Sequence, residues 1–460
     1  MNKLVSEYFN SLKDKKVVVL GIGVSNRPLI RMLLSYGIET IACDKMERDQ
    51  VDDEVLQLEH DGAILRLGAA YLDNLQGDIV FRTPGMHPDI PALKMLRQNG
   101  AVVTSEMEVF FSVCPCKIIA VTGSDGKTTT TTLISEMLKS AGHKVWVGGN
   151  IGQPLLPLAE TMQTNDIAVV ELSSFQLMNM KQSPDIAVIT NLAPNHLDVH
   201  KDMNEYIEAK ENIYLHQGTD GHVVLNFDNS ITAMFAQKVR GTLSGFSRIC
   251  APENGAYYAD DTIFLNGKPV VCREEIVLPG IHNVENYMAA ICAVKDYVSF
   301  DDIRFVARNF TGVEHRIEFV RELNGVRYYN DSIASSPTRT IAGLHAFDQK
   351  VILIAGGYDK KIPFDELGNE IVSHVKVLIL CGATAEKIKT AVLCAKGYEQ
   401  GKPAIINVGD LRGAVQKAYS CSCPGDVVTL SPACAAFDQF KNFMVRGVAY
   451  KELVLRLQET

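Results

Sequence analysis

Lys117-Ile118-Ile119-Ala120-Val121-Thr122-Gly123-Ser124-Asp125-Gly126-Lys127-Thr128-Thr129-Thr130 joins a buried strand, a glycine turn and the start of a helix. Ile118 to Val121 form an unbroken apolar run rich in β-branched residues, which predicts a strand covered on both faces. A helical pattern runs from about Thr129 to Ala141. Between them Gly123 and Gly126 let the backbone curl so that amide hydrogens point inward at an anion. Lys127 supplies a cation, Thr128 or Thr129 a hydroxyl for Mg²⁺, and the helix aims its positive end at the same point. The full phosphate-loop pattern has a glycine where this chain has Val121, so the motif is a shortened Thr-Gly-x-x-Gly-Lys-Thr-Thr. Its natural ligand is a nucleoside triphosphate.

On both sides of this segment short apolar runs alternate with helical patterns. Upstream, Val17–Leu20 leads into Gly21-Ile22-Gly23, then a helix, then Thr40–Asp44, with further strands near 64–67, 79–81 and 101–103. Downstream, strands are expected at 167–170, 186–189 and 223–225, β-hairpins between Tyr257 and Leu278 around Asn266-Gly267, and a helix from His282 to Tyr297. A third series follows near 326–329, 351–354, 377–380, 404–406 and 427–430. Such alternation builds parallel sheets. We expect an α/β protein of three domains: a Rossmann-like N-terminal domain (1–105), a P-loop-type central ATPase domain (106–312) and a doubly wound C-terminal domain (313–460). The 460-residue length suits about three domains.

Composition narrows the classes. Apolar residues are 47% and charged residues 22%, the balance of a globular chain, and 45 basic against 54 acidic residues leave a net charge of −9. A general nucleic-acid coat is not expected. No apolar run reaches the roughly 18 residues that span a bilayer. The opening Met1–Glu7 has an early acid and no apolar core, so no signal peptide is expected. The 11 cysteines are scattered without zinc-ribbon spacing, as expected of small buried residues in a reducing cytoplasm.

Polar clusters recur at strand ends. Gly21-Ile22-Gly23-Val24-Ser25-Asn26 lacks the third glycine of a dinucleotide fingerprint, and Asp44 ends the next strand at a distance suited to a ribose or nucleobase. The ligand is anionic with a nucleotide handle, NAD being one candidate among several. Thr83-Pro84-Gly85 offers a second cradle. Glu171, at the end of a buried strand in the unit that carries the phosphate loop, suits Mg²⁺. His196, beside Asp198, is a further metal or phosphate candidate. Lys210, mid-helix in Glu208-Ala209-Lys210-Glu211-Asn212, has the pattern of a solvated lysine. Asn283 and Asn286 share a helix face. Arg316 stands at the second junction, and Asp331, Lys360 and Ser431–Asp438 end strands of the last unit.

Taken together, Thr-Gly-x-x-Gly-Lys-Thr-Thr, Glu-Leu-Ser-Ser-Phe-Gln, Asn-His-Leu-Asp, Gly-x-His-Asn-x-x-Asn, Glu-His-Arg, Asn-Asp-Ser and Leu-Ser-Pro-Ala-Cys-Ala resemble the Mur ligases, in order and spacing, from about residue 15 onward. The resemblance implies an ATP- and Mg²⁺-dependent ligase of peptidoglycan synthesis that joins D-glutamate to UDP-N-acetylmuramoyl-L-alanine through an acyl phosphate. It implies ATP contacts at Gly123–Thr129, Asn283, Asn286, Arg316 and Asp331. It implies UDP-substrate contacts at Val24, Ser25, Asp44, Lys45, Thr83, Gly85, Asn150 and His196, and D-glutamate contacts at Ser335, Lys360 and Phe443. It implies two Mg²⁺ ions near Thr128, Glu171, His196 and Lys210, with Lys210 carbamylated, and Lys127, His196, Lys210 and Arg316 as the catalytic set. A cytoplasmic monomer without nucleic-acid or membrane partners is expected. Ala436 stands where the family often has serine, and Ile333-Ala334-Ser335-Ser336 replaces a common Lys-Ala-Thr-Asn, so Ser335 takes over the threonine hydroxyl. Folylpolyglutamate synthase, an NAD-dependent oxidoreductase and a nucleotide-regulated binding module are the rivals. The first lacks an equivalent of the Gly21–Asp44 unit, and the other two leave the phosphate loop or the ligase motifs without a role.

Overall fold

A computed structural model describes residues 2–23, 25–193, 200–359 and 362–458. The candidates Val24, His196 and Lys360, and Asp198 beside His196, lie outside the described residues.

Three sheets organise the chain. The first contains β1 (Val17–Leu20), β2 (Thr40–Asp44), β3 (Ile64–Leu67), β4 (Ile79–Arg82) and β5 (Val102–Thr104) in the order β3-β2-β1-β4-β5. All its pairings are parallel. Strand order reverses between β1 and β4, the place where an open α/β sheet leaves a crevice at its carboxyl edge. The Gly21 and Thr83 loops both start there.

The second sheet contains β6 (Lys117–Thr122), β7 (Val145–Gly149), β8 (Ile167–Glu171), β9 (Ile186–Ile189), β10 (His222–Asn226), β11 (Thr242–Ser247), β12 (Gly255–Ala259), β13 (Thr262–Leu265) and β14 (Lys268–Cys272). Its order is β14-β13-β12-β11-β10-β9-β6-β8-β7. β6 to β12 pair in parallel, and β12-β13-β14 is an antiparallel meander. Asn266 and Gly267, at φ +49° and +77°, make the expected two-residue hairpin turn. β6 lies between β9 and β8, so the loops that follow these three strands meet at one edge. The helices Lys127–Ser140 and Ile281–Val294 cover the sheet; the second is buried from Asn283 to Val294 except at Glu285.

The third sheet contains β15 (Glu318–Leu323), β16 (Val326–Asn330), β17 (Val351–Ala355), β18 (Val375–Leu380), β19 (Ala404–Asn407) and β20 (Val427–Leu430), ordered β15-β16-β20-β17-β18-β19. Only β15 runs antiparallel. The last strand in sequence is inserted between β16 and β17, which places the Asn330, Gly356 and Ser431 turns side by side.

Met1–Ile276 with Ile281–Asn309 form one compact unit, and Val277–Gly280 with Phe310–Thr460 form a second. Within the first unit, Arg82 Nη2 donates to Phe175 O at 3.1 Å, and Glu106 Oε1 accepts from Leu156 N at 2.7 Å. No helix among the described residues is long and apolar enough to cross a membrane.

The cysteine expectation needs correction. All 11 are free thiols, but only Cys43, Cys116, Cys292, Cys381 and Cys434 are buried, and Cys250, Cys272, Cys394 and Cys423 are exposed. Scattered placement follows which side of each element a residue falls on, which residue type alone does not decide.

Candidate active site

Gly126, at φ +77°, is the N-cap of the helix Lys127–Ser140. A methyl group there would lie 2.3 Å from Asn286 Oδ1, and one on Gly123, at φ +150°, would lie 1.9 Å from Thr190 Oγ1. Glycine is therefore required at both places. The end of β9 clamps the loop. Ser124 N donates to Asn191 O at 2.8 Å, Asp125 N to Asn191 Oδ1 at 2.9 Å, and the Thr190 hydroxyl to Asp125 O at 2.5 Å. The Ser124 hydroxyl donates to Ala193 O at 2.9 Å and lies 2.9 Å from the Tyr206 hydroxyl. The amides of Ser124 and Asp125 thus face Asn191. The helix that follows starts at Lys127, and a helix start favours an anion. Lys127 Nζ folds over the loop onto Ser124 O at 2.9 Å.

Lys210 overturns its sequence pattern. On the helix Met203–Leu215 it is 2% exposed, and Nζ donates to Thr122 Oγ1 at 3.1 Å and Gly123 O at 2.9 Å. The Tyr206 ring, four residues back on the same helix face, lies 4.9 Å from Nζ. Burial, and then Lys127, pull its pKa well below the usual lysine value against the opposing pull of Glu171. The lysine is buried because the helix packs its face onto the loop, and a polar residue on a mixed helix carries no hint of that.

Glu171 ends β8 and is 1% exposed. Its Oε1 accepts from Asn150 Nδ2 at 2.7 Å, and Asn150 N donates to Glu171 O at 2.8 Å. Oε2 is buried with no hydrogen-bond partner among the described residues. A buried carboxylate oxygen left in this state is costly unless a cation takes it. A buried carboxylate oxygen is the donor type that fits Mg²⁺. Asn150 is thus tied to the metal candidate.

Asn283 and Asn286 are both buried. Asn286 Oδ1 accepts from the Thr130 hydroxyl at 3.2 Å and its Nδ2 donates to Asn283 Oδ1 at 3.0 Å. Asn286 therefore couples the two helices beside the loop.

In the first sheet Asp44 accepts from Ile22 N at 2.7 Å and from Met46 N at 3.1 Å. Asn26, at the place of the missing glycine, donates to Gly21 O at 2.8 Å and holds the turn closed. Thr83 abuts Gly21, whose Cβ would meet it at 2.9 Å. Ser25 is half-buried, and Lys45 and Gly85 are exposed at the same edge. A cavity of about 1040 Å³ is lined by Tyr8, Arg97, Glu108 and Lys181 among others and contains none of the candidate residues; the chemistry-bearing residues are gathered at the carboxyl edges of the sheets, so the cavity is not the candidate site.

In the second unit Asp331 is 4% exposed; it accepts from the Ser431 hydroxyl at 2.7 Å and from Ile317 N at 3.3 Å. Burial pushes its pKa up to about 7. Arg446, which the sequence pattern does not single out, is 4% exposed and donates to Ser332 O at 2.9 Å, Cys434 O at 3.0 Å and Ala435 O at 3.2 Å, joining the loops after β16 and β20. Phe443, three residues before it on one helix, meets the His315 ring edge-on at 6.0 Å. Ser335 is half-buried, Arg316 exposed and Ala436 buried.

Residues 121–294 match the Mur ligase middle domain and residues 315–434 the glutamate ligase domain of Mur ligases. The chain is 53% identical to the UDP-N-acetylmuramoylalanine–D-glutamate ligase of Acetivibrio thermocellus over 99% of both chains. The chain belongs to the Mur ligase family. It is accordingly an ATP-dependent ligase. It is also 51% identical to the protein of that name in Clostridium botulinum strain Alaska E43, over 98% of this chain and 100% of the relative. Among solved structures, UDP-N-acetylmuramate-alanine ligase MurC from Thermotoga maritima shares the fold with a TM-score of 0.58 at 18% identity, covering 95% of this chain and 98% of that one. A pseudomurein peptide ligase type C from Methanothermus fervidus does so with a TM-score of 0.55, over 97% and 100% of the two chains.

Proposed function

We propose that this Mur ligase adds D-glutamate to UDP-N-acetylmuramoyl-L-alanine in peptidoglycan precursor synthesis. The observation that carries the reading is Glu171 Oε2, a buried carboxylate oxygen without a donor among the described residues, in the same unit as a phosphate loop, in a chain whose relatives with that substrate pair in their names match it end to end. A carboxylate oxygen of the UDP substrate attacks the γ-phosphorus of ATP and ADP leaves. The glutamate amine then attacks the acyl carbon, and the tetrahedral intermediate expels phosphate as the nitrogen loses its proton. Lys127 and the helix start hold negative charge on the transferring group. Glu171, Thr128 and His196 would hold Mg²⁺, which would neutralise negative charge on phosphate and carboxylate. Asn150 orients Glu171. Burial and Lys127 weaken the hold of Lys210 on its proton, which favours the neutral amine, the form that takes up CO₂ with loss of a proton, and the resulting carbamate supplies a second anion at the site. Arg316 and Asp331 are the nucleotide contacts of the second unit, and Asn283 and Asn286 those of the first.

Residues 1–105 hold the UDP moiety through Val24, Ser25, Asp44, Lys45, Thr83 and Gly85. Residues 106–312 hold ATP, and 313–460 hold D-glutamate through Ser335, Lys360 and Phe443. The buried methyl of Ala436 offers no hydroxyl, which leaves the glutamate side chain to Lys360 and Ser335. The reading places the protein in the cytoplasm as a monomer, working on small molecules. The test is phosphate release with the UDP substrate and, in turn, D-glutamate, L-glutamate, L-alanine and meso-diaminopimelate. Release should depend on D-glutamate. Equal release with another amino acid overturns the substrate assignment.

A further inference from the structure

The second unit carries a cluster that the ligase reaction does not use. His345 caps the helix Pro337–Leu344, and Glu370 and His374 lie one turn apart on the helix Asp365–His374. The buried residues Leu344, Leu367 and Ile371 seat both helices in one apolar cluster against the sheet, so the backbones that carry the three side chains are fixed. His345 Nε2 is 2.7 Å and His374 Nδ1 3.2 Å from the same oxygen, Glu370 Oε2. The two rings are 4.8 Å apart and tilted by 48°. One ligand atom from each residue lies within 4.8 Å of the others.

We propose that His345, Glu370 and His374 bind one zinc-class divalent ion that braces the two helices. Donor atoms around a tetrahedral ion with bonds of about 2.0–2.1 Å lie roughly 3.3 Å apart, so two of the three spacings are already near that value and the third closes by a rotamer adjustment. His374 Nδ1 also lies 3.1 Å from Glu370 O, so an ion bound through Nδ1 replaces that backbone contact. Two neutral imidazoles and one carboxylate suit Zn²⁺, Co²⁺ or Ni²⁺, whereas Mg²⁺ prefers an all-oxygen set. The side chains are 51%, 32% and 34% exposed for His345, Glu370 and His374, so an ion enters without opening the fold and keeps a water ligand. The helix from Pro337 is about 12 Å long, and Ser335 stands just before its opposite end. The brace therefore steadies a helix at its far end from the proposed glutamate contact and takes no part in phosphoryl transfer. The inference does not rest on the substrate assignment.

The test uses the full chain in excess Mg²⁺, which occupies the oxygen-rich sites, with Zn²⁺ followed by calorimetry and Co²⁺ by its visible absorption. The wild-type protein should take up one ion that Mg²⁺ does not displace, and Zn²⁺ should raise its unfolding temperature. His345→Ala and His374→Ala should each weaken uptake about tenfold or more and remove the thermal shift, and His345→Gln should do the same with less disturbance of packing. His60→Ala, which alters an exposed histidine outside the cluster, should change neither. Absence of uptake in excess Mg²⁺, or uptake indifferent to these substitutions, overturns the proposal.

Discussion

Lys210 and Glu171 are two ionisable groups held almost wholly out of water, 2% and 1% exposed, within electrostatic reach of each other and of Lys127. A lysine buried against Thr122 Oγ1, Gly123 O and a tyrosine ring, with Lys127 in reach, has a weakened hold on its proton, and that is the condition for a nucleophilic amine. Replacing Lys210 with alanine removes both the amine and the anion that carbamylation would make of it. The variant should turn over slowly and recover in part when acetate or formate is added; full activity without additive would contradict the role. The Tyr206–Lys210 spacing of four residues was visible in the sequence and marks a shared helix face. What was not visible is that this face meets a loop some 85 residues earlier in the chain, and burial depends on that. Asn26 was legible only as a missing glycine, because its hydrogen bond to Gly21 O requires the folded turn.

At the scale of elements, unbroken apolar runs marked strands that are buried throughout. Val17–Leu20, Ile167–Glu171, Ile186–Ile189 and Val351–Ala355 are covered throughout, so selection for apolar residues shows as a continuous run. β7, with Trp146 between half-buried neighbours, and β15, Glu-Phe-Val-Arg-Glu-Leu, went unread because they are edge strands whose charged and half-exposed residues lack such a run. The helix Glu106–Val113 gives an element-scale prediction. Burial pushes the Glu106 carboxyl up to about 7, against the opposing backbone donors Leu156 and Leu155. Its folded pKa thus exceeds the ordinary value, and the folded state holds the proton more tightly. The stabilisation is complete at acid pH and is lost as pH rises toward and through 7. Glu106→Gln keeps a carbonyl acceptor and has no charge to bury. Relative to wild type it should gain stability between pH 5 and pH 8, by on the order of 3 kcal/mol, in melting experiments at both values. An unchanged difference between the two proteins would contradict this.

At the scale of the molecule, each sheet has its candidate residues where strand order reverses: after β1 and β4, after β6, β8 and β9, and after β16, β17 and β20. This is why polar clusters at strand ends could be read as sites before any fold was known. Which amides face a ligand could not be read, since Asn191 takes those of Ser124 and Asp125. The account therefore rests on the start of the helix Lys127–Ser140 as the seat of a triphosphate. The direct measurement is a calorimetric titration of a non-hydrolysable ATP analogue with Mg²⁺ into the wild-type protein and Lys127→Ala. Saturable binding by the wild type, weakened at least tenfold in the variant (about 1.4 kcal/mol), is the predicted result. Equal binding by both proteins, or none by the wild type, would contradict it.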